Sequence, residues 1–396
     1  MNLSLAPVQA NASTEQKRSE TKRAAYLTNI LAPYWKPTFE LLAERLQLRI
    51  LLSTTMESNR PWEVDWGNLD VALQRTITLR KTWKHPNGFA EPIYVHFPVD
   101  TIAQLRRFRP DIVLSNEMGF RTLMACMYRK FARGSRLLVV AEISESTERG
   151  RGLLRAALRR VICKYVDGFL VLGQSGKRYI HSLGVPHTKI YAIGYTTDLD
   201  RFCNLSLARS EPEMYRLLYV GQLIERKGLA PFLQILSQWA ADHPTREVEF
   251  TIVGDGPARD SLEKTSLPAN LSLSFCGNLA FVDLPRIYAK CGIFAFPTLA
   301  DTWGVVVNES MAAGLPVLGS IYSQAVEEMV EDGRHGWTFR PDDADGVYRV
   351  IHKAMSTSHE MLSGMRIQAR ERAMQYSPET VAANINEALN RVVSEA

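Results

Sequence analysis

The chain has 396 residues, which is too many for one ordinary hydrophobic core, so two domains of about 150–200 residues each are expected. Hydrophobic residues make up 46% and charged residues 22%, which excludes a disordered or fibrous protein. Residues 1–200 hold 29 Lys and Arg against 18 Asp and Glu, whereas residues 201–396 hold 18 against 24. The basic first half favours an anionic partner: a lipid surface, a phosphorylated acceptor or a nucleic acid.

The five cysteines are scattered without a CxxC pair, which argues against a zinc site and fits a reducing cytosol. Residues 1–24 are predicted to form a polar tail, and they lack the apolar region of a signal peptide. No uninterrupted apolar run reaches about 18 residues, so no membrane span is predicted. We expect a cytoplasmic protein, with peripheral association at the inner face of the plasma membrane as an option for its basic half.

Apolar runs alternate with helical patterns throughout the chain. In the first half, helices are predicted at Pro37–Leu46 and Lys177–Leu183, and strands at Ala25–Leu31, Leu48–Leu52, Ile112–Ser115, Leu137–Ala141, Gly168–Leu172 and Ile190–Ile193. In the second half, strands are predicted at Leu217–Val220, Glu249–Val253, Leu271–Phe275, Ile293–Phe296 and Val317–Ser320. The segment Glu57–Phe97 has little periodicity, and we interpret it as an excursion from the first domain.

Such apolar strands, separated by helices, indicate parallel sheets that are covered on both faces. The predicted fold class is therefore α/β, with two Rossmann-like domains that face each other across a deep cleft, where a ligand would bind. The predicted units are residues 25–198, a linker at 199–215, a second domain at 216–377 and a final helix at 378–396.

Four segments of the second half combine turns with polar groups. Gly221 follows a strand and lets the backbone approach a ligand, and Lys227 stands just before a helix, where it could meet a phosphate. Gly254 and Gly256 form a strand-to-helix turn of the GxG type. Gly277 and Asn278 end a further strand and could present backbone groups to a flat base. Each segment alone also fits an ordinary loop.

The fourth segment, Phe296–Val317, is the most specific. Asp301 follows a strand, and Glu309 lies in the first turns of a helix that is predicted to start near Gly304. Amides at a helix N-terminus bind diphosphates, and a carboxylate one turn further on can accept hydrogen bonds from a ribose diol. The alternative is structural: Asp301 caps the helix and Glu309 favours its dipole.

The block Tyr219–Val317 resembles the retaining, GT-B-fold glycosyltransferases of family 4, with a weaker likeness in the first half to transferases of bacterial exopolysaccharide loci. The resemblance implies that Lys227 neutralises the donor diphosphate, Glu309 holds the ribose and Asp301 the transferred sugar. It implies catalysis by electrostatic stabilisation of the departing diphosphate, without metal or other cofactor. The expected partners are a UDP-, GDP- or ADP-linked sugar and a saccharide or lipid-linked acceptor. The predicted donor-binding set is Gly221, Gln222, Arg226, Gly254, Gly256, Gly277, Asn278, Thr302, Trp303, Gly304, Val305 and Val306.

The chain departs from the family pattern at three places. Gln222 replaces an arginine, for which Arg226 could substitute, and Asp301 replaces a glutamate. The first domain lacks both the usual Gly-Gly loop and the common histidine after a strand. Its candidate site residues are therefore Lys36, Glu142 and Ser144, with Glu142 as the nearest polar substitute for the histidine.

A basic helix is predicted between Arg149 and Lys164, with Leu154, Leu158, Val161 and Ile162 on its apolar face. Its arginines either form an ordinary solvated face or contact anionic lipid headgroups. The membrane-contact candidates are Arg151, Arg155, Arg159 and Arg160. Nucleic-acid binding has no supporting motif.

Two other interpretations of the whole chain stay open from the sequence. One is a non-catalytic nucleotide-sugar sensor of the same fold, which Gln222 and Asp301 would favour. The other is a GT-B enzyme of another reaction, such as an epimerase or a phosphorylase. The segment Gly173–Lys177 has too short a spacing between its glycines for a phosphate-binding P-loop, and it fits a helix start.

Overall fold

The computed structural model describes residues 21–57 and 65–394, so the predicted tail at 1–24 lies almost entirely outside the described residues. The first sheet has seven parallel strands in the order β3-β2-β1-β6-β7-β8-β9. Their bounds are β1 Arg23–Thr28, β2 Gln47–Leu52, β3 Asp70–Leu73, β6 Ile112–Asn116, β7 Arg136–Ala141, β8 Gly168–Val171 and β9 Ile190–Ala192. An antiparallel hairpin of β4 Thr76–Lys84 and β5 Ala90–Pro98 interrupts this domain.

The second sheet has six parallel strands in the order β12-β11-β10-β13-β14-β15. Their bounds are β10 Leu217–Val220, β11 Val248–Val253, β12 Leu271–Gly277, β13 Ile293–Phe296, β14 Val317–Ser320 and β15 Gly336–Phe339. Strands β10, β13 and β14 are buried at every position because helices cover both faces, as their continuous apolar runs predicted. The two Rossmann-like sheets confirm the predicted α/β class.

Helices fill the connections of both domains. The first part of the chain forms α1 Lys36–Ala43, α2 Thr101–Phe108, α3 Phe120–Phe131, α4 Glu145–Glu148, α5 Leu153–Cys163, α6 Gln174–Ser182, α7 Asp200–Cys203 and α8 Glu211–Met214. The second part forms α9 Leu229–Asp242, α10 Arg259–Glu263, α11 Leu284–Tyr288, α12 Val306–Ala312, α13 Gln324–Met329, α14 Ala344–Met355, α15 His359–Met374 and α16 Pro378–Ser394. Short 3₁₀ helices lie at Pro33–Trp35, His187–Lys189, Glu225–Lys227 and Phe281–Asp283.

The final helix α16 packs against α1 and the first sheet, where the Asn384 side chain donates to the Ile193 carbonyl at 3.1 Å. One hydrophobic core runs from the first sheet through α16 to α12 of the second domain. Two hydrogen bonds also join the domains near the candidate site. The Gln324 side chain donates to the Ile143 carbonyl at 2.9 Å, and the Ser144 hydroxyl donates to the Asp301 carbonyl at 3.3 Å. These contacts fix the two halves around the candidate site.

The sequence-based elements differ from the structure in a few places. The first strand ends at Thr28 instead of Leu31, and the missed strands are β3, β4, β5 and β15. Residues 58–64 of the aperiodic segment lie outside the described residues, and the rest of it supplies β3 and the hairpin. The helix start predicted at Gly173 is confirmed, because α6 begins at Gln174.

Candidate functional site

Three loops of the second domain form one wall of the candidate site. They follow β10, β11 and β13, and because these parallel strands are neighbours, their carboxyl ends meet at one edge of the sheet. The loop after β11 packs tightly on the loop after β10. A Cβ atom on Gly254 would lie 1.9 Å from the Gly221 carbonyl oxygen, so glycine is required there for the close approach of two backbones.

A buried charge cluster joins two of these loops. Lys227 Nζ donates to Asp301 Oδ2 at 2.5 Å, and an Nη atom of Arg226 lies 3.3 Å from the same oxygen. Burial alone would raise the pKa of Asp301, but the two cations outweigh it and lower this pKa below its usual value. The structure thus brings the predicted Lys227 and Asp301 together, with Arg226 beside them.

The hairpin of the first domain reaches this cluster from the opposite side. Arg226 Nε donates to Glu91 on β5 at 2.7 Å, and the Asn87 side chain donates to the Leu299 carbonyl at 3.0 Å. Burial disfavours the charge on Arg226, but Asp301 and Glu91 more than compensate and raise its pKa. Arg226, the predicted substitute for the arginine that Gln222 replaces, therefore lies between a carboxylate of each domain.

Glu309 lies on α12 and is buried. Its Oε2 accepts a hydrogen bond from the Tyr288 hydroxyl at 3.1 Å. Burial raises the pKa of Glu309 to about 8, and the Tyr288 hydroxyl opposes this only in part. Across the described residues no Lys or Arg forms an ion pair with Glu309, so its carboxyl is largely protonated at neutral pH.

The segment before α12 bends at Gly304. This residue has a φ of 102°, and a Cβ there would lie 2.6 Å from the Phe296 ring, so glycine is required. The helix begins at Val306 with Val305 as its N-cap. Amides of a first helical turn have no intrahelical acceptors, which leaves those of Gly304, Val305 and Val306 suited to an anion.

A cavity of about 1390 Å³ separates the domains and is large enough for a nucleotide sugar with its acceptor. From the second domain it is lined by Gln222, Arg226 and Gly256 among the predicted donor residues. The predicted residues that do not line it are Gly221, Lys227, Gly254, Gly277, Asn278, Asp301, Thr302, Trp303, Gly304, Val305, Val306 and Glu309. Lys227, Asp301 and Glu309 therefore lie behind the cavity wall.

A second, smaller cavity of about 160 Å³ lies in the first domain. Glu142 lines it and accepts a hydrogen bond from the Asn116 side chain at 3.1 Å. Glu57 and Glu117 line both cavities, so this side of the cleft is rich in carboxylates. The predicted first-domain residue Glu142 thus occupies a position open to a ligand.

Two other first-domain predictions need correction. Lys36 does not line either cavity, because its Nζ donates to Asp65 at 2.6 Å on the outer side of α1. Ser144 is buried, caps α4 by accepting from the Thr147 amide, and contacts the Asp301 carbonyl. Its role is to connect the two domains.

The predicted donor residues Thr302 and Trp303 also have structural contacts. The Trp303 indole is buried, donates to the Asn308 side chain at 2.7 Å and packs near Tyr195. The Thr302 carbonyl accepts a hydrogen bond from Gln324. The Trp303 side chain thus belongs to the core between the domains, and its donor contact stays a prediction.

The orientation of the basic helix α5 is opposite to the prediction. Arg159 is only 1% exposed and forms an ion pair with Glu148, to which Arg155 also binds. Arg151 stacks on the Trp83 ring at 3.5 Å, and burial lowers its pKa to about 10. Arg159 thus faces the protein, Arg151 and Arg155 are half-buried and line the large cavity, and Arg160 alone of the four candidates is exposed.

Several cleft residues escaped the sequence analysis. His96, on β5, lines the large cavity and contacts Glu57 at 3.2 Å, so the cleft does hold a histidine, but on the hairpin. Arg121 is fully buried at the cavity wall and donates to the Leu27 carbonyl. Glu117 has a φ of 64°, which is strained for a residue other than glycine and is typical of functional positions. Of these residues, only Glu117 and Arg121 closely follow a strand of the parallel sheet, β6, so only they could have been predicted from their position in the sequence.

No three His, Cys, Asp or Glu side chains are grouped to hold a metal ion in the parts of the chain that the structure describes. Among the same residues, no helix is both long and apolar enough to cross a bilayer.

The second half of the chain is similar to several known proteins. Residues 215–357 match the family model described as "Glycosyl transferases group 1". Sulfoquinovosyl transferase SQD2 of Arabidopsis thaliana is 32% identical over 36% of this chain and 26% of its own length. Amylovoran biosynthesis glycosyltransferase AmsK of Erwinia amylovora is 27% identical over 43% of each chain. The matched segments thus span less than half of these relatives.

The solved structures cover more of the molecule. HepE of Anabaena, solved in complex with UDP, is 15% identical, with a TM-score of 0.67 over 93% of this chain and 100% of that one. A likeness at this identity establishes the fold of both domains together. Residues 215–357 are therefore a glycosyl transferase group 1 domain, and the described chain has the GT-B fold.

Proposed function

We propose that this chain is a retaining glycosyltransferase of family 4, which moves a hexosyl residue from a nucleotide-diphosphate sugar to a saccharide acceptor. The observation that carries the proposal is the buried contact of Lys227 with Asp301 beside the first turn of α12. Support for a nucleotide-sugar donor comes from HepE, whose structures contain UDP and UDP-glucose. The likeness to AmsK supports a role in exopolysaccharide or cell-surface glycan synthesis.

In this proposal the donor diphosphate displaces the Lys227 ammonium from Asp301. Lys227 and the amides of Gly304, Val305 and Val306 then bind the phosphates, and Asp301 becomes free to accept hydrogen bonds from the sugar hydroxyls. The same groups stabilise the negative charge that grows on the departing diphosphate as the bond to the anomeric carbon breaks. Lys227 and these amides supply the positive charge that the diphosphate needs, so the proposal includes no metal or other cofactor.

Glu309 is the proposed ribose ligand. A carboxyl group that is held protonated by burial can both donate to one ribose hydroxyl and accept from the other. On the opposite wall, Glu142 and the neighbouring carboxylates are proposed to face the acceptor. We further propose that this acceptor is lipid-linked and is used on the cytoplasmic side of the plasma membrane.

Donor turnover tests the proposal. Purified protein is incubated with UDP-, GDP- and ADP-sugars, and release of the nucleoside diphosphate is measured with and without saccharide acceptors. We expect turnover with one donor class, and its loss in Glu309→Ala. Retention is tested by NMR of the product's anomeric proton. Tight donor binding with no turnover would instead support a nucleotide-sugar sensor.

A further inference from the structure

Helix α5 presents an apolar surface to solvent. Because Arg155 and Arg159 turn toward Glu148, the opposite side carries Leu153 and Leu154, which are 88% and 87% exposed, and Val161, which is 49% exposed. A helix that exposes large aliphatic side chains in this way lacks a partner within the described part of the chain.

The neighbouring helix α3 continues this surface. Met127 and Phe131 are 46% and 70% exposed and lie one turn apart on the same side of α3. The two helices meet where the Lys130 ammonium lies 5.1 Å from the ring of Tyr165, which is 42% exposed just beyond α5. We call this surface the α3–α5 face; it comprises Met127, Phe131, Leu154, Val161 and Tyr165.

The helices around the α3–α5 face carry only positive charges, and the nearby Asp167 is paired with Arg129 and Arg136. Helices α2, α3 and α5 contain no Asp or Glu. Exposed cations surround the apolar residues: Arg106 lies 5.6 Å from the Phe131 ring, and Arg160 and Lys164 follow the exposed side of α5. An apolar centre with a basic border is complementary to a bilayer interface that contains anionic headgroups.

We propose that the α3–α5 face docks on an anionic membrane surface through its apolar side chains, with its lysines and arginines contacting lipid phosphates. A second copy of the chain fits less well, since a symmetric contact would bring the same cations against one another. This inference extends the proposed function, because it specifies the surface by which a lipid-linked acceptor would be reached.

The position of the face relative to the cleft supports this role. Leu123 on α3 and Leu158 on α5 line the large cavity, and they belong to the same two helices as the α3–α5 face. A lipid-linked acceptor held at this surface could therefore pass its head group into the cleft beside Leu158.

Flotation with vesicles tests the inference on the full chain. The protein is mixed with vesicles of phosphatidylcholine alone or with phosphatidylglycerol at one third. We expect binding to the anionic vesicles and at least about tenfold weaker binding for Leu154→Gln with Val161→Gln, since each aliphatic side chain contributes strongly when it leaves water. Arg160→Glu with Lys164→Glu should weaken binding about tenfold, and more salt should do the same.

The matched control is Met361→Gln with Ile367→Gln, which removes two exposed apolar side chains (58% and 50%) from α15 of the other domain and should leave binding unchanged. The inference is overturned if the wild-type chain ignores anionic vesicles, or if the α5 variants bind like the control. It is also overturned if the α5 variants convert a dimer into a monomer without changing vesicle binding. A parallel titration with UDP reports on the proposed function independently of the lipid result.

Discussion

The two sides of the cleft arrange their charged groups differently. On the second domain, Arg226 and Lys227 converge on Asp301, and Arg226 also pairs with Glu91 of the hairpin, so two cations lie where we propose that a diphosphate binds. On the first domain, Glu57, Glu117 and Glu142 line the cavities together with Arg121, Arg151 and Arg155. We propose that the second-domain side, the donor wall, binds the anionic donor and that the first-domain side, the acceptor wall, uses its carboxylates to bind hydroxyls of the acceptor.

The largest effect is expected for Glu309→Gln. Glu309 belongs to the proposed donor side but forms no ion pair among the described residues, unlike Asp301. The folded chain keeps this group protonated up to pH about 8, whereas the unfolded chain ionises it above its ordinary value of 4.5. Between these values the folded state binds more protons, so the stability of the wild type falls as pH rises. We expect the stability of Glu309→Gln relative to wild type to increase by up to about 1.4 kcal/mol per pH unit in this window.

Urea unfolding at pH 5, 6, 7 and 8 measures this effect. Glu371→Gln, at an exposed glutamate of the same domain, serves as the control and should show no such trend. A pH-independent difference between Glu309→Gln and wild type would mean that Glu309 is ionised in the folded chain.

Loss of a single charge should lower turnover more on the donor wall than on the acceptor wall. Asp301→Asn keeps the side-chain volume but releases the two cations that Asp301 aligns. Misplacement of charged groups by about 1 Å costs roughly a hundredfold in rate, so we expect a loss of that size in turnover. Asp283→Asn, at a carboxylate 43% exposed in the same domain, should retain activity, and equal activity of both variants would argue against a role for Asp301.

A smaller and different effect is expected on the acceptor wall. Glu142→Gln should reduce transfer to a saccharide about tenfold, the size of one lost charged hydrogen bond, while donor affinity stays unchanged. Steady-state kinetics, with the donor and the acceptor varied in turn, separates the effect on transfer from any effect on donor affinity. Glu44→Gln, at an exposed glutamate directly after α1, is the control. A change in donor affinity for Glu142→Gln would contradict the proposed separation of donor and acceptor walls.

The smallest effect is expected where the walls meet. Glu91→Gln removes one carboxylate from Arg226, which keeps its contacts with Asp301 and the Ala300 carbonyl. We expect a loss of about 1 kcal/mol in unfolding free energy. The solvent-exposed pair of Arg391 and Glu387 offers the comparison, since Glu387→Gln should cost less. Equal losses would show that the hairpin contact contributes no more than a surface ion pair.

The donor wall could be predicted from the sequence because its polar residues directly follow apolar strands. The acceptor wall could not, because much of the first-domain lining comes from residues 87–97 of the hairpin, which lie outside the parallel sheet and therefore do not follow one of its strands. The orientation of the basic helix α5 was predicted wrongly for another reason. Arginines at every fourth position are typical of a solvated face, and only the fold places Glu148 against them.

The central claim is that Lys227 binds the diphosphate of the donor. Calorimetric titration of wild type and Lys227→Met with UDP and UMP, and then with the GDP and ADP pairs, tests it directly. We expect the wild type to bind one nucleoside diphosphate far more tightly than its monophosphate, and Lys227→Met to lose this preference. A variant that keeps the full preference for the diphosphate would contradict the account.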